Sequence, residues 1–463
     1  NTAVGSLALY SNTTGYKNDA FGSHALYNNT TGSQNVAIGD FALHTNTTGV
    51  KNVCVGKNCG YYITSATANA YVGHESGQNT STGSYNSGVG ERSLFNNTTG
   101  ERNTALGYYA LYDNTTASHN TGLGMYSLLH TTTGGHNTAA GYYSLAVNTT
   151  GVYNTAMGEY ALYASTTSSN NTAVGSKALY SNTTGPRNTA VGRNALYGNT
   201  YNSDNTAVGD SALSSSYGVA NVAIGSSCLI NNTSAGSIVA IGVNTLSSNT
   251  DKSNHVAVGH EALKNSTTGE NNQVLGYNAM YTNTSGSYNT GIGYTVMYKN
   301  TSGNRNTAVG YQARNEGTTG TYNTAIGMYA NYYGTNDNGS TSLGYSSLHN
   351  CTTGNYNTAA GYGSLYSLTT GYNNVGIGLN SGYSNTTGFQ NTSLGVSAGY
   401  TITTGKHNVA VGYSALVNCS TGSGNYAACS VNSGGGYAPV FDVTTHNDRI
   451  VMGHTGIGYA YVQ

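Results

Sequence analysis

Apolar and polar residues follow one another along the chain in a pattern that returns every 17 residues. The pattern reads N-T-A-V-G-x-x-A-L-Y-x-N-T-T-G-x-x and begins at Asn1. Its phase holds to Asn205, one step of 16 residues leads to Asn221, and steps of 17 then resume to Asn425. The chain therefore contains 26 coils, and a residue's place within its coil is given below as position 1 to 17.

The composition of a coil predicts β-structure. A repeat built from two helices needs roughly 33 residues or more, and Asn, Thr, Gly and Val are poor helix formers. Two short strands fit better, the first at positions 1 to 4 and the second at the Ala-Leu-Tyr of positions 8 to 10. Position 5 is Gly in every coil except the last, which has Cys429, and this indicates a backbone that a Cβ would obstruct. The Asn-Thr-Thr-Gly of positions 12 to 15 supplies a turn.

Coils of this kind stack in register as an all-β parallel β-solenoid, in which each strand pairs with its copies in the neighbouring coils. At ~4.8 Å between strands, 26 coils predict a rod of about 125 Å. Position 4 is apolar throughout and position 9 is mostly Leu, so we predict that these two columns form a thin continuous core. Examples are Val4, Phe21 and Ile38 at position 4, and Leu9, Leu26 and Leu43 at position 9.

Four other columns carry structural predictions. Small residues at positions 3 and 8 allow a close approach, either across the narrow coil or against a partner chain. Asn occupies position 1 in 23 coils and predicts a ladder of side-chain amides. A Tyr stripe at position 10 has two possible roles. Its rings could stack between coils and shield the edge of the core, or they could form a surface that binds glycans. The stripe includes Tyr10, Tyr27, Tyr112, Tyr163, Tyr180 and Tyr197.

One coil, residues 205–220, is a residue short. The missing residue falls in the turn half, where Ser215, Tyr217 and Gly218 stand in place of Asn-Thr-Thr-Gly. We predict a local change of shape that leaves both strand columns intact.

The overall composition excludes several classes of function. Charged residues make up 7% of the 463 residues and the formal net charge is −1, so the chain lacks the basic surface that binds nucleic acid. The chain contains no stretch of 18 consecutive apolar residues, so no membrane span is predicted. No signal peptide is visible, and the start at Asn1 rather than Met suggests a fragment or a processed product.

No motif predicts catalysis, a cofactor or a metal site. The carboxylates are scattered, many of them at the variable positions 6 and 7, as on a solvated surface. Glu75 and Glu91 lie on adjacent coils and could face each other like the paired acids of glycosidases, although such pairs arise by chance on a long rod. The 12 His show no ligand spacing. Cys54 and Cys59 are small substitutions within one coil, for which a disulfide is geometrically possible but not required.

The turn also matches the acceptor pattern for N-glycosylation, N-x-T. Because the same residues are required by the turn itself, the match has little specificity. It occurs at Asn12, Asn29, Asn46, Asn97 and Asn114.

The coil resembles repeats of two known groups. Its Asn-x-Ala-Val-Gly segment resembles the head repeats of trimeric autotransporter adhesins, and the 17-residue version with Ala-Leu-Tyr and Asn-Thr-Thr-Gly looks like repeats in tail fibres of marine and cyanobacterial phages. The resemblance covers residues 1 to about 430. It implies a left-handed parallel β-roll assembled as a homotrimer.

The end of the chain resembles a third element. Periodicity stops at Gly434, and the stretch from Val440 to Gln463 resembles the segment that precedes the intramolecular chaperone of endosialidase-type phage fibres. The resemblance implies a shaft over residues 1–433 and a small trimer-closing β cap over 434–463. The chaperone domain itself, with its Ser-Asp-x-Arg-x-Lys cleavage region, is absent from these 463 residues.

Together these features predict a structural and adhesive viral tail fibre, located in the virion and extracellular, that forms a stiff rod and contributes to attachment to a host surface. The expected partners are two further copies of the chain, other virion tail proteins and a host glycan or protein. Candidate contacts are positions 6, 7, 16 and 17 and the Tyr stripe, and no individual receptor-binding residue is predicted. A cellular extracellular fibril or surface adhesin, with or without attached glycans, is the alternative, and a glycan depolymerase is a further one.

Overall fold

The computed structural model describes residues 1–417, 419–428 and 450–452, the last of these by backbone alone. It confirms a parallel β-solenoid with 17-residue coils, and it contains no helix within these ranges. The chain forms two compact units, Asn1–Ala235 and Gly236–Gln463. The predicted boundary between residues 433 and 434 lies outside the described residues.

Each coil contributes one strand of three residues, at positions 2 to 4. The strands of the first unit are β1 Thr2–Val4, β2 Asp19–Phe21, β3 Val36–Ile38, β4 Val53–Val55, β5 Ala70–Val72, β6 Ser87–Val89, β7 Thr104–Leu106, β8 Thr121–Leu123, β9 Thr138–Ala140, β10 Thr155–Met157, β11 Thr172–Val174, β12 Thr189–Val191, β13 Thr206–Val208 and β14 Val222–Ile224. Those of the second are β15 Val239–Ile241, β16 Val256–Val258, β17 Gln273–Leu275, β18 Thr290–Ile292, β19 Thr307–Val309, β20 Thr324–Ile326, β21 Thr341–Leu343, β22 Thr358–Ala360, β23 Val375–Ile377, β24 Thr392–Leu394, β25 Val409–Val411, β26 Tyr426–Ala428 and β27 Ile450–Met452.

Consecutive strands within a unit pair in parallel and in register. The short coil keeps this register, because Thr206 of β13 lies opposite Val222 of β14. Its turn also keeps two bonds of the repeat, since the Tyr217 N–H donates to the Thr233 carbonyl (2.8 Å) and the Gly218 carbonyl accepts from the Asn205 side chain (2.9 Å). The missing residue therefore belongs at position 14. The strand column of positions 2 to 4 is intact as predicted, and the column of positions 8 to 10 also continues, since the Leu213 N–H donates to the Cys228 carbonyl at 2.9 Å.

The end of the chain adds one more strand. β27 pairs in parallel with β26, with Ile450 opposite Tyr426. It belongs to the predicted cap 434–463, whose remaining residues lie outside the described part.

The predicted second strand at positions 8 to 10 is wrong. Positions 7 and 9 have positive φ in most coils, for example 57° at Leu7 and 53° at Leu9, and an extended strand cannot contain such residues. The segment still bonds to its neighbour, because the Leu9 N–H donates to the Ala25 carbonyl at 3.0 Å. Coils are therefore joined here by hydrogen bonds between turns.

Glycine at position 5 confirms the predicted steric restriction. Its φ lies between 114° and 149° in the described coils, a region that other residues rarely adopt. A Cβ on Gly175 would also lie 2.6 Å from the carbonyl oxygen of Gly192 in the next coil. Both effects favour Gly in this column.

The core differs from the prediction in one column. Position 9 is buried as expected, whereas position 4 is outside, and Leu106 is 50% exposed. The reason is the alternation of a strand, since the small residue at position 3 points inward and its neighbours point outward. The small residues of positions 3 and 8 therefore serve the approach across the coil. In coil 103–119 the buried side is formed by Asn103, Ala105, Ala110, Leu111, Asn114 and Ala117.

Two columns of Asn run through this core. At position 1, the Asn18 Oδ1 accepts the backbone N–H of Asn35 at 3.0 Å, and the Asn35 Nδ2 donates to the Gly49 carbonyl at 2.9 Å. The predicted amide ladder is confirmed. A second ladder lies at position 12, where the Asn29 Nδ2 donates to the Asn12 Oδ1 at 2.7 Å and to its own coil's position-15 carbonyl. Within each run of Asn these bonds satisfy amides that would otherwise be costly to bury, whereas the Oδ1 atoms of Asn46 and Asn114, where runs at position 12 end, accept no hydrogen bond in the described structure.

The second ladder determines whether the N-x-T matches can be glycosylated in the folded coil. Glycosylation would modify the Asn Nδ2 atom, which here donates hydrogen bonds inside the coil. The folded coil therefore leaves no room for a glycan at the buried matches, which are Asn29, Asn46, Asn97 and Asn114.

Candidate functional site

The first candidate surface is the outer strand face, defined as positions 2 and 4 of the strands in each unit. Position 4 is apolar in every coil, and its side chains reach 56% exposure at Val4 and 50% at Leu275. Monomeric soluble proteins rarely expose extended apolar surfaces of this kind. Further position-4 residues that are well exposed are Phe21, Ile38, Val72, Val89, Leu123, Met157, Ile224, Ile292, Ile326, Leu343, Ile377 and Leu394.

The second candidate surface is the Tyr stripe of position 10. Tyr163, Tyr180 and Tyr197 form a stack with centroid separations of 5.4 and 5.1 Å, which confirms the interpretation as rings stacked between coils. Within such a stack both faces of a ring are covered by neighbours, and only ring edges and hydroxyls meet solvent. A sugar that packs on an aromatic face would find one only where a stack ends.

Tyr197 is such an end. The next coil has Ser214 at position 10, so the stack stops there, and Tyr197 is 38% exposed. An open cleft of about 350 Å³ lies at this end. The cleft is formed by residues at positions 7, 10 and 11 of three successive coils. It is lined by Lys177, Asn194, Tyr197, Ser211, Ser214 and Ser215.

Small and polar residues at position 7 help to form this cleft. In other coils position 7 carries large rings, such as Tyr126, Tyr143 and Tyr160, which stack on one another at 4.6 and 5.6 Å. Lys177, Asn194 and Ser211 take their place beside Tyr197. Sequence reasoning singled out the short coil but missed the cleft, for which Ser214 in a Tyr column was the available signal.

The variable positions carry charges that pair along the stack. Arg187 and Asp204 at position 17 form two bonds of 2.7 and 2.9 Å, which hold the pKa of Asp204 at about 2. Arg193 and Asp210 at position 6 are paired in the same way. Positions 6 and 17 are largely solvent-facing and position 7 is mostly half-buried, and many charges at these positions bind a neighbouring coil.

The predicted acidic pair is arranged differently. Glu75 accepts a hydrogen bond from the Arg92 Nε at 2.6 Å, and this contact raises the pKa of Arg92. The structure thus pairs Glu75 with a cation on the next coil and assigns it no bond to Glu91. In the described ranges, no three His, Cys, Asp or Glu side chains are grouped as metal ligands would be.

The cysteines are structural substitutions. The five described ones are buried and form no disulfide, and they are Cys54, Cys59, Cys228, Cys351 and Cys419. Cys351 at position 12 replaces Asn in the second ladder and donates to the Gly354 carbonyl at 3.4 Å. Burial raises the pKa of its thiol, so it is unreactive as a nucleophile.

Comparison of the chain with models of known protein families gives no match, and comparison with curated proteins gives none either. A search of the described residues for a helix long and apolar enough to cross a bilayer finds none.

Proposed function

We propose that the chain is the shaft of a trimeric viral tail fibre that contributes to attachment at a host surface. The observation that supports the proposal is the outer strand face, whose position-4 column is apolar in every coil yet lies outside the coil's own core. Burying such a column would stabilise an assembly at about 25 cal/mol for each Å² removed from water.

Further copies of the same chain fit this face best. Their own position-4 columns have the same spacing of ~4.8 Å, so an apolar side chain meets another at every coil. A globular partner lacks that period. Three copies around one axis would bury all three columns in a closed arrangement, as symmetric oligomers do.

The trimer is tested on the whole chain by sedimentation equilibrium and native mass spectrometry. We expect a mass of three chains, and a stable monomer would contradict the proposal. Leu275→Lys together with Ile292→Lys places two charges on the outer strand face and is expected to weaken the trimer. Ser285→Lys with Ser302→Lys, at the turn position 14 of the same coils, is the matched control and should leave the mass unchanged.

The viral location needs a separate test. Antibodies raised against the shaft should label the tails of virions in electron micrographs. Label on a cell-surface fibril instead would favour the alternative of a cellular adhesin. Release of reducing sugar from host polysaccharide would indicate the depolymerase.

A further inference from the structure

We propose that the cleft beside Tyr197 binds a saccharide, specifically a pyranose ring that carries a carboxylate or sulfate group. The proposal rests on the attachment role proposed above and names the class of receptor that this part of the shaft contacts. Three features of the cleft support it: the end of the Tyr stack, the polar lining and the charge.

The ring of Tyr197 provides the surface for the sugar. One ring face is covered by Tyr180, at 5.1 Å and 4° between planes, and the ring on the other side of it is missing because the column continues with Ser214. A pyranose presents a face of C–H groups about as large as a phenol ring. Those polarised C–H groups pack favourably on the negative face of an aromatic ring.

The polar lining matches the hydroxyls of a sugar. Asn194 offers both an amide donor and a carbonyl acceptor, and Ser215 offers a hydroxyl that donates and accepts. The hydroxyls of Ser211 and Ser214 donate to the Asp210 Oδ2 at 3.3 Å and to the Ile230 carbonyl at 3.5 Å, so they offer acceptors. Tyr, Ser and Asn together combine a rigid ring with adaptable hydrogen bonding. The volume of about 350 Å³ is near the lower end for small-ligand sites, which suits one or two sugar residues.

The charge at the cleft selects an acidic sugar. Lys177 is exposed, lines the cleft and forms no ion pair among the residues that the structure describes. Nearby Arg193, in contrast, is bound to Asp210 at 2.7 Å. Lys177 is therefore the cation available to a ligand, and an ammonium group binds a carboxylate or sulfate through charge-assisted hydrogen bonds.

The test is binding of the whole chain to an array of neutral, uronic-acid and sulfated oligosaccharides, followed by calorimetry with the best binder. We expect acidic members to bind and their neutral counterparts to bind about tenfold more weakly, the size of one charge-assisted contact. Lys177→Met should remove this difference. An array without binders, or equal binding of acidic and neutral members, would overturn the proposal.

Two substitutions at position 10 locate the site. Ser214→Tyr restores the repeat residue, extends the stack over the open face of Tyr197 and should abolish binding while the coil keeps its fold. Tyr197→Ser removes the aromatic ring face and should also abolish saccharide binding. Tyr383→Phe, within the stack formed with Tyr366 and Tyr400, leaves that stack closed; it is the control and should bind like the unmodified chain. Binding that survives Ser214→Tyr would place the ligand elsewhere and refute the site.

The outcome is separable from that of the proposed function. A trimer that binds no saccharide would refute the site alone. A monomer that binds an acidic saccharide at Tyr197 would retain the site and refute the trimeric shaft.

Discussion

The ring of Tyr71 occupies the space that a side chain on residue 77 would need, because a Cβ on Gly77 would lie 2.4 Å from the ring's Cε2 atom. Most coils have Ala at position 3 and Leu at position 9, whereas this coil has Tyr and Gly. The buried Tyr71 hydroxyl bonds with the Thr80 Oγ1 at 3.1 Å. A large and a small residue have thus exchanged sides within one coil.

This exchange predicts strong coupling between the two residues. Gly77→Leu alone overpacks the core and should destabilise the coil by about 1–3 kcal/mol, and Tyr71→Ala alone should cost about 3–5 kcal/mol through a cavity. The double substitution restores the common pair and should cost much less than the sum. Hydrogen exchange of the amides in coil 69–85 measures each local stability, and additive effects would contradict the exchange.

His255 predicts a dependence of local stability on pH. It replaces the Asn of position 1, and its Nε2–H donates to the Gly269 carbonyl at 3.0 Å while its Nδ1 accepts from the Asn272 N–H at 3.4 Å. Burial lowers the pKa of this His from 6.5 to about 4. Above pH 6.5 the ring is neutral in both states and its contribution is complete.

As the pH falls from 6.5 towards 4, the unfolded chain binds a proton that the folded chain excludes, so the coil loses stability. The full loss is on the order of 3 kcal/mol. His255→Asn restores the repeat and should remove this part of the pH dependence. Hydrogen exchange in coil 255–271 between pH 4 and 7 checks it, and identical profiles for the two chains would disprove it.

A buried ion pair in the second unit predicts an asymmetry between single and double substitutions. Arg314 at position 9 donates to the Asp337 Oδ1 at 2.6 Å, and Asn331 donates to the Oδ2 at 2.6 Å. Both charged side chains are fully buried. Asp337→Gly leaves an uncompensated buried charge and should cost about 3–5 kcal/mol.

Adding Arg314→Leu to that substitution restores the repeat residues at both positions. We expect this double variant to match or exceed the original stability, since replacing a buried pair by apolar packing is often neutral or stabilising. Thermal unfolding followed by circular dichroism compares the variants. A double variant as unstable as Asp337→Gly would show that the pair itself is required.

At position 5 a single added methyl group should be strongly destabilising. Gly175→Ala requires a non-glycine residue at φ 132° with its Cβ 2.6 Å from a carbonyl oxygen, and should cost about 1–3 kcal/mol or more. Gly122→Ala is the control, because position 3 is usually Ala and this Gly has no positive φ. Its Cβ would meet the Ser127 Oγ at 3.0 Å and no backbone atom closer than 3.5 Å, so it should cost much less than Gly175→Ala. The comparison is made on melting temperature, and equal effects would contradict the steric account.

Much of the fold follows from the repeat alone. The coil length, the buried Leu at position 9, the Asn ladder and the restriction at position 5 are all visible as columns. Whether the side chains of position 4 point into the coil or out of it is not visible in the sequence. An apolar column looks the same whether it is buried in its own coil or against a second surface. The small residue found at position 3 in most coils was the clue that the narrow interior lies on the other side of the strand.

The backbone of positions 7 to 9 was harder to predict, because Leu is a rare residue at positive φ. The signal lay in the exceptional coils. Gly60 and Gly77 replace Leu at position 9 with φ of 57° and 61°, and Asn58 and Asn194 at position 7 are residues that tolerate such angles. The cleft beside Tyr197 could not be predicted without the three-dimensional stack. The ring face of Tyr197 is exposed because the next coil has no ring at position 10.

The short coil shows where this architecture can change. Residues Tyr217 and Gly218 keep the bonds of positions 13 and 15 although the residue between them is gone. A corner that accepts a deletion without disturbing strand or core is also a point where extra residues could leave and re-enter the stack. The other coils whose turns the structure describes have the same corner, so the solenoid offers a regular series of sites at which evolution, or an engineer, could graft a loop.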